Sequence, residues 1–407
     1  MSTKLTRVAH AWQIYVAVGV VTAPMIAAGL AQGVSHAPHV TLYASVGEEL
    51  IHFTVDVDHA TLTRQSSLML PGFVQEAWAS PTAPFLYVAW SNGGTSYSGS
   101  GVEPRGDGHG VTAFRVDASG GLHAEGTPAQ LRSRPIHITG DLSARHLLVA
   151  YNDPSGLSVH TINTDGTIGS EVPQSGAIDT GIYAHQVRVA PGNRTVILVT
   201  RGNQATSTTP EDPGALKVFR YDQGKLSNEV SIAPAKGIGF RSRHLDFHPT
   251  GPWVFLTLES QNRLDVFRRV HDGLDAEPLF SKNTLAHGGG VTAGQTASTV
   301  HVHPNGQFVY VANRGAAPPA VNDIAVFRIN ENTGEPSLIQ NIDTRGSTPR
   351  TFAVDPSGRI LVVGNQSPPA ALSVFKIGSD GELEFVNRYD VAVGRKPLWW
   401  TGLVTLR

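Results

Sequence analysis

The sequence contains no cysteine among its 407 residues, which excludes disulfide bonds, a thiolate nucleophile and a cysteine-ligated zinc site. Positive charge is also sparse. The formal net charge is −2 and no run of Lys and Arg occurs, so the sequence indicates no nucleic-acid partner. Neither an H-E-x-x-H motif nor an Asp-rich calcium loop is present. We therefore expect no metal and no other cofactor.

Long apolar runs are missing except near the N-terminus, at residues 11–31, where the run follows Lys4 and Arg7. This segment resembles a secretory signal peptide with cleavage after Ala31. The run is long enough to span a membrane, but Pro24 weakens it as a permanent anchor. We predict a signal peptide over residues 1–31, export to the periplasm and no membrane span after cleavage. A cytoplasmic location is the alternative.

Glycine and proline are abundant, with 43 and 26 residues, as is typical of an all-β chain with many turns. One unit recurs along the chain. It consists of a strand, a Pro-Gly or Asp-type turn, an apolar strand that ends in a polar residue, and a strand that contains the sequence V-F. The turn residues of the repeated unit are Pro81, Asp141, Pro191, Pro249, Pro304 and Pro356. A period of about 50 to 60 residues with several strands per unit predicts a β-propeller. Residues 41–407 then form a single domain.

The two ends of this region each hold part of a unit. Residues 41–62 supply strands without the first one, and residues 396–403 supply a first strand with nothing after it. Placing residues 397–400 beside residues 41–43 completes a seventh unit and removes a free sheet edge. The sequence therefore predicts a seven-bladed β-propeller in which the N- and C-terminal strands close one blade.

Charged residues concentrate at one structural position of the repeat. Because the first two strands of a unit are antiparallel, the start of the first and the end of the second lie at the same end of a blade, near the central channel. Six residues before the turn the units carry Gln75, Pro135, His185, Arg243, Ser298 and Arg350. Ten residues after it they carry Ser91, Tyr151, Arg201, Glu259, Arg314 and Gln366. The alternative interpretation is ion pairing between neighbouring blades.

Several guanidinium groups around one carboxylate suit an anionic or carbonyl-rich ligand, because arginine offers a fixed fork of donors. Glu259 or His185 is the candidate general base. His301 alternates with His303 and is expected in the channel, whereas His248 and His303 are expected to cap strand ends. The long loops 93–110, 202–214, 287–298 and 315–322 all emerge on the charged side. They predict a rim that carries specificity.

Three segments carry a resemblance to a known family: R-H-L-D-F-H-P from Arg243, V-H-V-H-P-N-G-Q-F-V-Y-V-A-N-R ending at Arg314, and P-R-T-F-A-V-D-P from Pro349. They look like the seven-bladed propeller lactonases, which include the propeller-type 6-phosphogluconolactonases and the 3-carboxy-cis,cis-muconate lactonizing enzymes. The resemblance covers the chain after about residue 40. It implies a catalytic set of His185, Arg243, Glu259 and Arg314.

The resulting functional prediction is metal-independent hydrolysis of a small-molecule lactone, either a sugar lactone or a related carboxylated lactone. Arg201, His301, Arg350 and Gln366 are predicted to bind the substrate. An exported enzyme favours an unphosphorylated substrate. The alternatives are cycloisomerisation of a carboxylated muconate and a non-catalytic exported propeller that binds a glycan or a protein. The last predicts an exposed aromatic or apolar patch on the loop face and no effect of mutating the charged positions. The sequence does not indicate an oligomeric state.

Overall fold

A computed structural model of the protein describes residues 39–93, 106–271, 273–286, 290–315 and 317–406, without the side chain of Asn228. These residues belong to a single compact unit. Apart from one 3-10 turn at Pro234–Gly237, their regular structure is entirely β. The described part of the chain holds no helix with the length and apolarity needed to cross a membrane. The predicted signal peptide lies outside the described residues.

The strands follow one another in short segments separated by turns. In chain order they are β1 (Val40–Val46), β2 (Glu49–Asp56), β3 (Thr61–Met69), β4 (Phe73–Ala79), β5 (Phe85–Ser91), β6 (His109–Val116), β7 (Leu122–Gln130), β8 (Pro135–Gly140), β9 (His146–Asn152), β10 (Ser155–Ile162), β11 (Ile168–Glu171), β12 (Ala184–Val189), β13 (Thr195–Thr200), β14 (Ala215–Asp222), β15 (Lys225–Ile232), β16 (Ser242–Phe247), β17 (Trp253–Leu258), β18 (Arg263–Val270), β19 (Gly273–Leu274), β20 (Phe280–Asn283), β21 (Thr296–Val302), β22 (Phe308–Arg314), β23 (Asp323–Ile329), β24 (Pro336–Asp343), β25 (Pro349–Val354), β26 (Ile360–Asn365), β27 (Ala371–Ile377), β28 (Leu383–Asp390) and β29 (Leu398–Thr405).

These strands form seven antiparallel sheets, which we number as blades in chain order. Blade 1 contains β29, β1, β2 and β3; blades 2, 3 and 4 contain β4–β7, β8–β11 and β12–β15; blades 5, 6 and 7 contain β16–β20, β21–β24 and β25–β28. The first strand of each blade contacts the first strands of both neighbouring blades, and this series of contacts closes on itself through β29 and β4. The predicted seven-bladed β-propeller is confirmed.

Blade 1 is built from both ends of the described chain. Strand β29 pairs with β1 in antiparallel fashion, with Leu42 opposite Leu403 and Ser45 opposite Trp400. The predicted closure by the N- and C-terminal strands is therefore confirmed. The closing strand runs over Leu398–Thr405, two residues further along than the sequence pattern indicates.

The core consists of seven apolar clusters, each between two adjacent blades. Because every sheet packs against a neighbour on both faces, the second strands are buried almost throughout; all six residues of β17, WVFLTL, are buried. The third strands are buried even at some polar positions. Lys217 and Asp265 are only 7% and 2% exposed.

Histidines in the first turn of two blades connect each blade to the next. His248 accepts a hydrogen bond from the Gly251 N–H through Nδ1 (2.7 Å), and its Nε2 donates to the Gly306 carbonyl of the following blade (2.8 Å). His303 bonds the Gly358 carbonyl in the same way (2.8 Å). Gly306 has φ +76°, and a Cβ there would lie 2.7 Å from the His248 ring. Only glycine fits this approach without strain.

Candidate active site

The first strand of every blade is interrupted near its start, on the side of the channel where charged residues were predicted. At these places the pairing skips one or two residues of the first strand, as a β-bulge does. The skipped residues, by blade, are Trp399, Gln75, Ile136, His185, Arg243 with His244, Ser298 with Thr299, and Arg350. A bulge re-aims side chains relative to a regular strand. The position selected from the sequence is therefore the bulge position, except in blade 3, where Ile136 rather than Pro135 is skipped.

Glu259 is the centre of a buried ion network at this end of the channel. It follows β17, and its side chain is 7% exposed. Its two oxygens accept hydrogen bonds from Arg201 Nη1 (2.8 Å) and Arg314 Nη2 (2.7 Å), and Arg243 Nε lies 3.6 Å away. Blades 4, 5 and 6 thus supply three guanidinium groups to one carboxylate, so the network carries excess positive charge.

The protonation of this network follows from burial and charge. Burial alone would raise the pKa of Glu259, but the charges of Arg201, Arg314 and Arg243 outweigh it and hold that pKa well below its usual value. Burial and the charge of Arg314 lower the pKa of Arg243 to about 9, so this side chain is still a cation at neutral pH. Its Nε and Nη1 atoms are buried and have no hydrogen-bond partner among the described residues. Arg243 therefore has donors available for a ligand.

Three neighbouring histidine rings lie between this network and the channel. The rings of His185 and His244 have centroids 5.1 Å apart, and those of His137 and His244 are 6.0 Å apart. Burial, assisted by the charge of Arg243, holds the pKa values of His185 and His244 well below the usual value. Burial also lowers the pKa of His137 to about 3. All three rings are therefore neutral at pH 7. The Nδ1 atom of His185 is buried, and no described residue forms a hydrogen bond with it.

Arg350 faces this group from blade 7. Its guanidinium stacks on the Trp399 ring at 3.6 Å and makes no hydrogen bond to any described residue. Burial and the charges of Arg243 and Arg314 place its pKa well below the usual value. Together with His185 and Arg243 it lines a cavity of only about 20 Å³. This constriction has room for little more than one reacting group or water molecule.

Two larger cavities are each lined in part by residues of this site. A cavity of about 910 Å³ is lined by the loop segments 152–155, 181–183 and 201–212 and by Arg241. We call it the rim pocket. The second cavity, of about 320 Å³, lies along the first strands and is lined by Glu76, His137, His244 and His301, among others. We call it the channel cavity. Loop 202–214, predicted to form a rim, does line the rim pocket, whereas most of loop 93–110 lies outside the described residues.

The structure brings together six of the eight predicted site residues: His185, Arg201, Arg243, Glu259, Arg314 and Arg350. His301 is elsewhere. Its ring packs on Phe352 and its Nδ1 atom lies 3.6 Å from Asp246 Oδ2, in the channel cavity. Gln366 follows β26, and within the described part of the chain only its backbone makes hydrogen bonds. His301 and Gln366 share no described contact with the six grouped residues. Their predicted roles in substrate binding therefore remain predictions.

Some residues of the site are absent from the sequence-based selection. In blade 5 the strand pairing leaves out both Arg243 and His244. One residue per unit was selected from the sequence at this position, so His244 was not included. Glu76 follows the selected Gln75 and lines both the constriction and the channel cavity. Burial raises the pKa of Glu76 to about 8, against the charges of Arg350 and Arg188. The sequence did offer one signal for His244 and Glu76, because each directly follows a selected residue. Among the described residues no group of His, Asp and Glu has an arrangement that could hold a metal ion.

Curated relatives and solved structures of similar chains span nearly the same length. The 6-phosphogluconolactonase of Serratia proteamaculans is 26% identical over 366 residues, covering 88% of this chain and 96% of that protein. The enzyme of the same name from Pectobacterium carotovorum is 25% identical, with 88% and 97% covered. The periplasmic gluconolactonase of Pseudomonas aeruginosa has a similar fold, with a TM-score of 0.70, 20% identity and 90% and 99% coverage. The family model described as "Lactonase, 7-bladed beta-propeller" matches residues 39–399. The chain therefore belongs to the seven-bladed β-propeller lactonase family.

Proposed function

We propose that the protein hydrolyses a lactone at the constriction between Arg243, His185 and Arg350. The observation that carries this proposal is the neutral, buried imidazole of His185 beside a carboxylate that three guanidinium groups surround. Family membership and the relatives named 6-phosphogluconolactonase support it. The products would be the hydroxy acid and one proton at neutral pH.

Arginine donors provide the electrostatic part of the reaction. Attack of water on the lactone carbonyl gives a tetrahedral intermediate with a negative oxygen. Arg243 and Arg350 both line the constriction, and two guanidinium N–H groups of Arg243 have no hydrogen-bond partner among the described residues. Both side chains would therefore hydrogen-bond this oxygen as its charge develops. The acyl C–O bond then breaks, and the ring oxygen leaves as an alcohol after it takes up a proton.

Of the two candidate bases, we propose His185. Both oxygens of Glu259 are engaged by Arg201 and Arg314, which leaves neither oxygen directed at an attacking water. His185 is neutral, and its Nδ1 atom has no partner. It would accept the proton of the attacking water and return it to the leaving oxygen. Glu259 would act as a positioning residue that holds the arginines.

The substrate class we propose is a sugar lactone or a related carboxylated lactone. The polar lining of the rim pocket, with Arg201, Asn203 and Asp212, suits a molecule with several hydroxyl groups. Export, predicted from residues 11–31, would favour a lactone available outside the cytoplasm. Among the described large apolar side chains that are exposed, none is aromatic, so they offer no aromatic patch for a purely glycan-binding role.

The test is a pH-indicator hydrolysis screen of sugar and muconate-derived lactones with the wild type, Glu259→Gln and His185→Gln, each with and without EDTA. We expect acid release by the wild type that EDTA does not change. His185→Gln should lower kcat by about 10²- to 10⁴-fold. Glu259→Gln should lose activity and about 3 to 5 kcal/mol of stability, because it leaves buried arginines uncompensated.

Full activity of His185→Gln on the lactone hydrolysed by the wild type would refute the assignment of the base. Conversion of a muconate without hydrolysis of any lactone would instead establish a cycloisomerase. No turnover across the panel, with a folded protein by circular dichroism, would contradict the enzymatic proposal.

A further inference from the structure

The channel cavity extends from the constriction toward the end of the propeller opposite the rim pocket. The constriction and the channel cavity share five lining residues: Glu76, His244, Thr299, Thr351 and Trp400. Further along, the cavity is lined by Pro304, which directly follows β21. The rim pocket, in contrast, is lined by residues that come directly before β12 and β16. The two cavities therefore open toward opposite ends of the first strands.

The channel cavity is large enough for water and reaches the solvent. Its volume of about 320 Å³ has room for roughly ten water molecules. The side chain of His301, which lines the cavity, is 36% exposed, so the cavity is accessible from outside at this residue. The constriction, at about 20 Å³, is too narrow for a lactone. Water and protons are the species that can pass between the two spaces.

Hydrolysis of a lactone releases one proton that has to leave the site. In the proposed reaction His185 takes one hydrogen of the attacking water and returns it to the ring oxygen, so this transfer releases no proton. The second hydrogen of the water stays on the new carboxyl group. When this carboxyl ionises at neutral pH, its proton must reach the solvent. The product still lies on the rim side at that moment, whereas the channel side is free of it.

The charges along the channel favour movement of a proton away from the constriction. Arg243 and Arg350 line the constriction, and their positive charges repel a proton there. Asp246 lies further along, with Oδ2 at 3.6 Å from His301 Nδ1. Burial would raise the pKa of Asp246, but the charge of Arg188 and the contact with His301 lower it to about 2. Asp246 is therefore negative at neutral pH and attracts a proton toward the solvent-accessible end.

Two groups at the junction of the constriction and the cavity are able to pass a proton on. His244 is neutral, and its Nδ1 atom lies 3.3 Å from Thr299 Oγ1. A neutral imidazole accepts a proton at one nitrogen and donates the proton of the other. Glu76 keeps its proton at neutral pH, because burial raises its pKa to about 8. A protonated carboxyl likewise accepts at one oxygen while it donates from the other.

We propose that the central channel is a proton exit for the reaction, with His244 and Glu76 as the relay between the constriction and the channel cavity. This inference rests on the proposed lactonase function. The proton of the product carboxyl passes through His244 and Glu76 to water in the cavity, and it reaches the solvent at His301. Each transfer breaks one O–H or N–H bond and forms another, so no oxidant or reductant is needed. The substrate enters and the product leaves on the rim side.

Steady-state hydrolysis of the lactone that the wild type turns over tests the relay. Glu76→Gln keeps the shape of the side chain but has no exchangeable acid proton. In dilute buffer it should lower kcat by about tenfold and leave KM unchanged. Added imidazole, which is small enough for the cavity, should restore kcat, whereas the bulkier buffer MOPS should not. Rates without enzyme are subtracted. Glu171→Gln, which removes a half-exposed carboxylate from β11, is the matched control and should behave as the wild type.

A second variant tests the route rather than the relay. Ala353 lines the channel cavity but not the constriction, and it lies one residue before the end of β25. Ala353→Phe should fill part of the cavity and lower kcat in dilute buffer, and imidazole should not restore it. A wild-type kcat for Glu76→Gln in dilute buffer would overturn the inference, as would a loss in that variant that imidazole leaves unchanged. Unchanged kcat in a folded Ala353→Phe would show that the proton leaves on the rim side.

A measurement without a lactone separates failure of this inference from failure of the proposed function. NMR of protein labelled with ¹⁵N-histidine gives the rate at which the His244 ring N–H exchanges with water. This rate should be about tenfold lower in Glu76→Gln than in the wild type, since exchange of a buried group requires a path to water. The same decrease in a protein that turns over no lactone would still support the path. Equal exchange rates in the two proteins would refute it.

Discussion

Replacement of Glu76 by Gln should change how stability depends on pH. In the folded protein burial raises the pKa of Glu76 to about 8, whereas the ordinary value is 4.5. Below pH 4.5 both the folded and the unfolded chain carry a proton on this carboxyl. Between pH 4.5 and 8 only the folded chain keeps the proton, so this group's contribution to the free energy of unfolding falls as the pH rises. Above pH 8 the loss is complete.

The size of the effect follows from the same shift. Each pH unit in this window costs about 1.4 kcal/mol, which gives about 4 kcal/mol between pH 5 and pH 8. Glu76 has partial access to water in the channel cavity, so we expect about 2 to 4 kcal/mol. The amide introduced by Glu76→Gln does not titrate, and its oxygen can still accept the Ala77 N–H, which Glu76 Oε1 accepts at 3.2 Å. The variant should therefore gain stability over the wild type as the pH rises.

Urea unfolding of both proteins at pH 5 and pH 8.5, followed by tryptophan fluorescence, measures this difference. All other titrating groups are common to the two proteins and cancel in the comparison. Glu48→Gln serves as the control, because Lys396 Nζ lies 2.7 Å from Glu48 and helps to lower its pKa below the usual value. Its change should be small and opposite in sign. A stability difference between Glu76→Gln and wild type that is equal at both pH values would refute the reasoning.

Two further predictions concern His185, the proposed base, and the links between blades. Because the pKa of His185 lies well below 6.5, kcat/KM should stay level as the pH falls from 8 to 6.5 and decline only below that; a profile with an acidic limb at or above pH 6.5 would contradict His185 as the base. His248→Ala should lower the free energy of unfolding by about 1 to 3 kcal/mol, because the Gly306 carbonyl and the Gly251 N–H both lose a partner. Urea unfolding tests this, with exposed His59→Ala as the control that should change stability little.

The repeated unit allowed the ring of blades and its closure to be predicted from the sequence. Six related units fix the number of complete blades, and two incomplete ends account for the seventh. The same alignment located the bulge positions, because a repeat places equivalent residues at equivalent points around one axis. The structure places three of the selected residues, His185, Arg243 and Glu259, in one group, and their catalytic roles stay predictions.

Side-chain partners were harder to predict, because they depend on how blades tilt and where pairing is interrupted. His301 was correctly expected in the channel, but its contact with Asp246 depends on the neighbouring blade. A two-residue interruption in blade 5 brought His244 into the channel, although strict alternation would turn it away from Arg243. The raised pKa of Glu76 comes from burial that arises only when the ring is closed.

Closure of blade 1 by β29 also has a consequence for synthesis of the protein on the ribosome. Strand β1 ends at Val46 and its inner partner begins at Leu398, about 350 residues later. At about 5 to 20 residues per second, the inner edge of β1 would wait roughly 20 to 70 s for its partner. Its sequence, VTLYASV, has no charged residue to discourage pairing with another nascent chain. The growing polypeptide thus passes through a period in which aggregation competes with folding, and this period ends when Trp399 and Trp400 emerge.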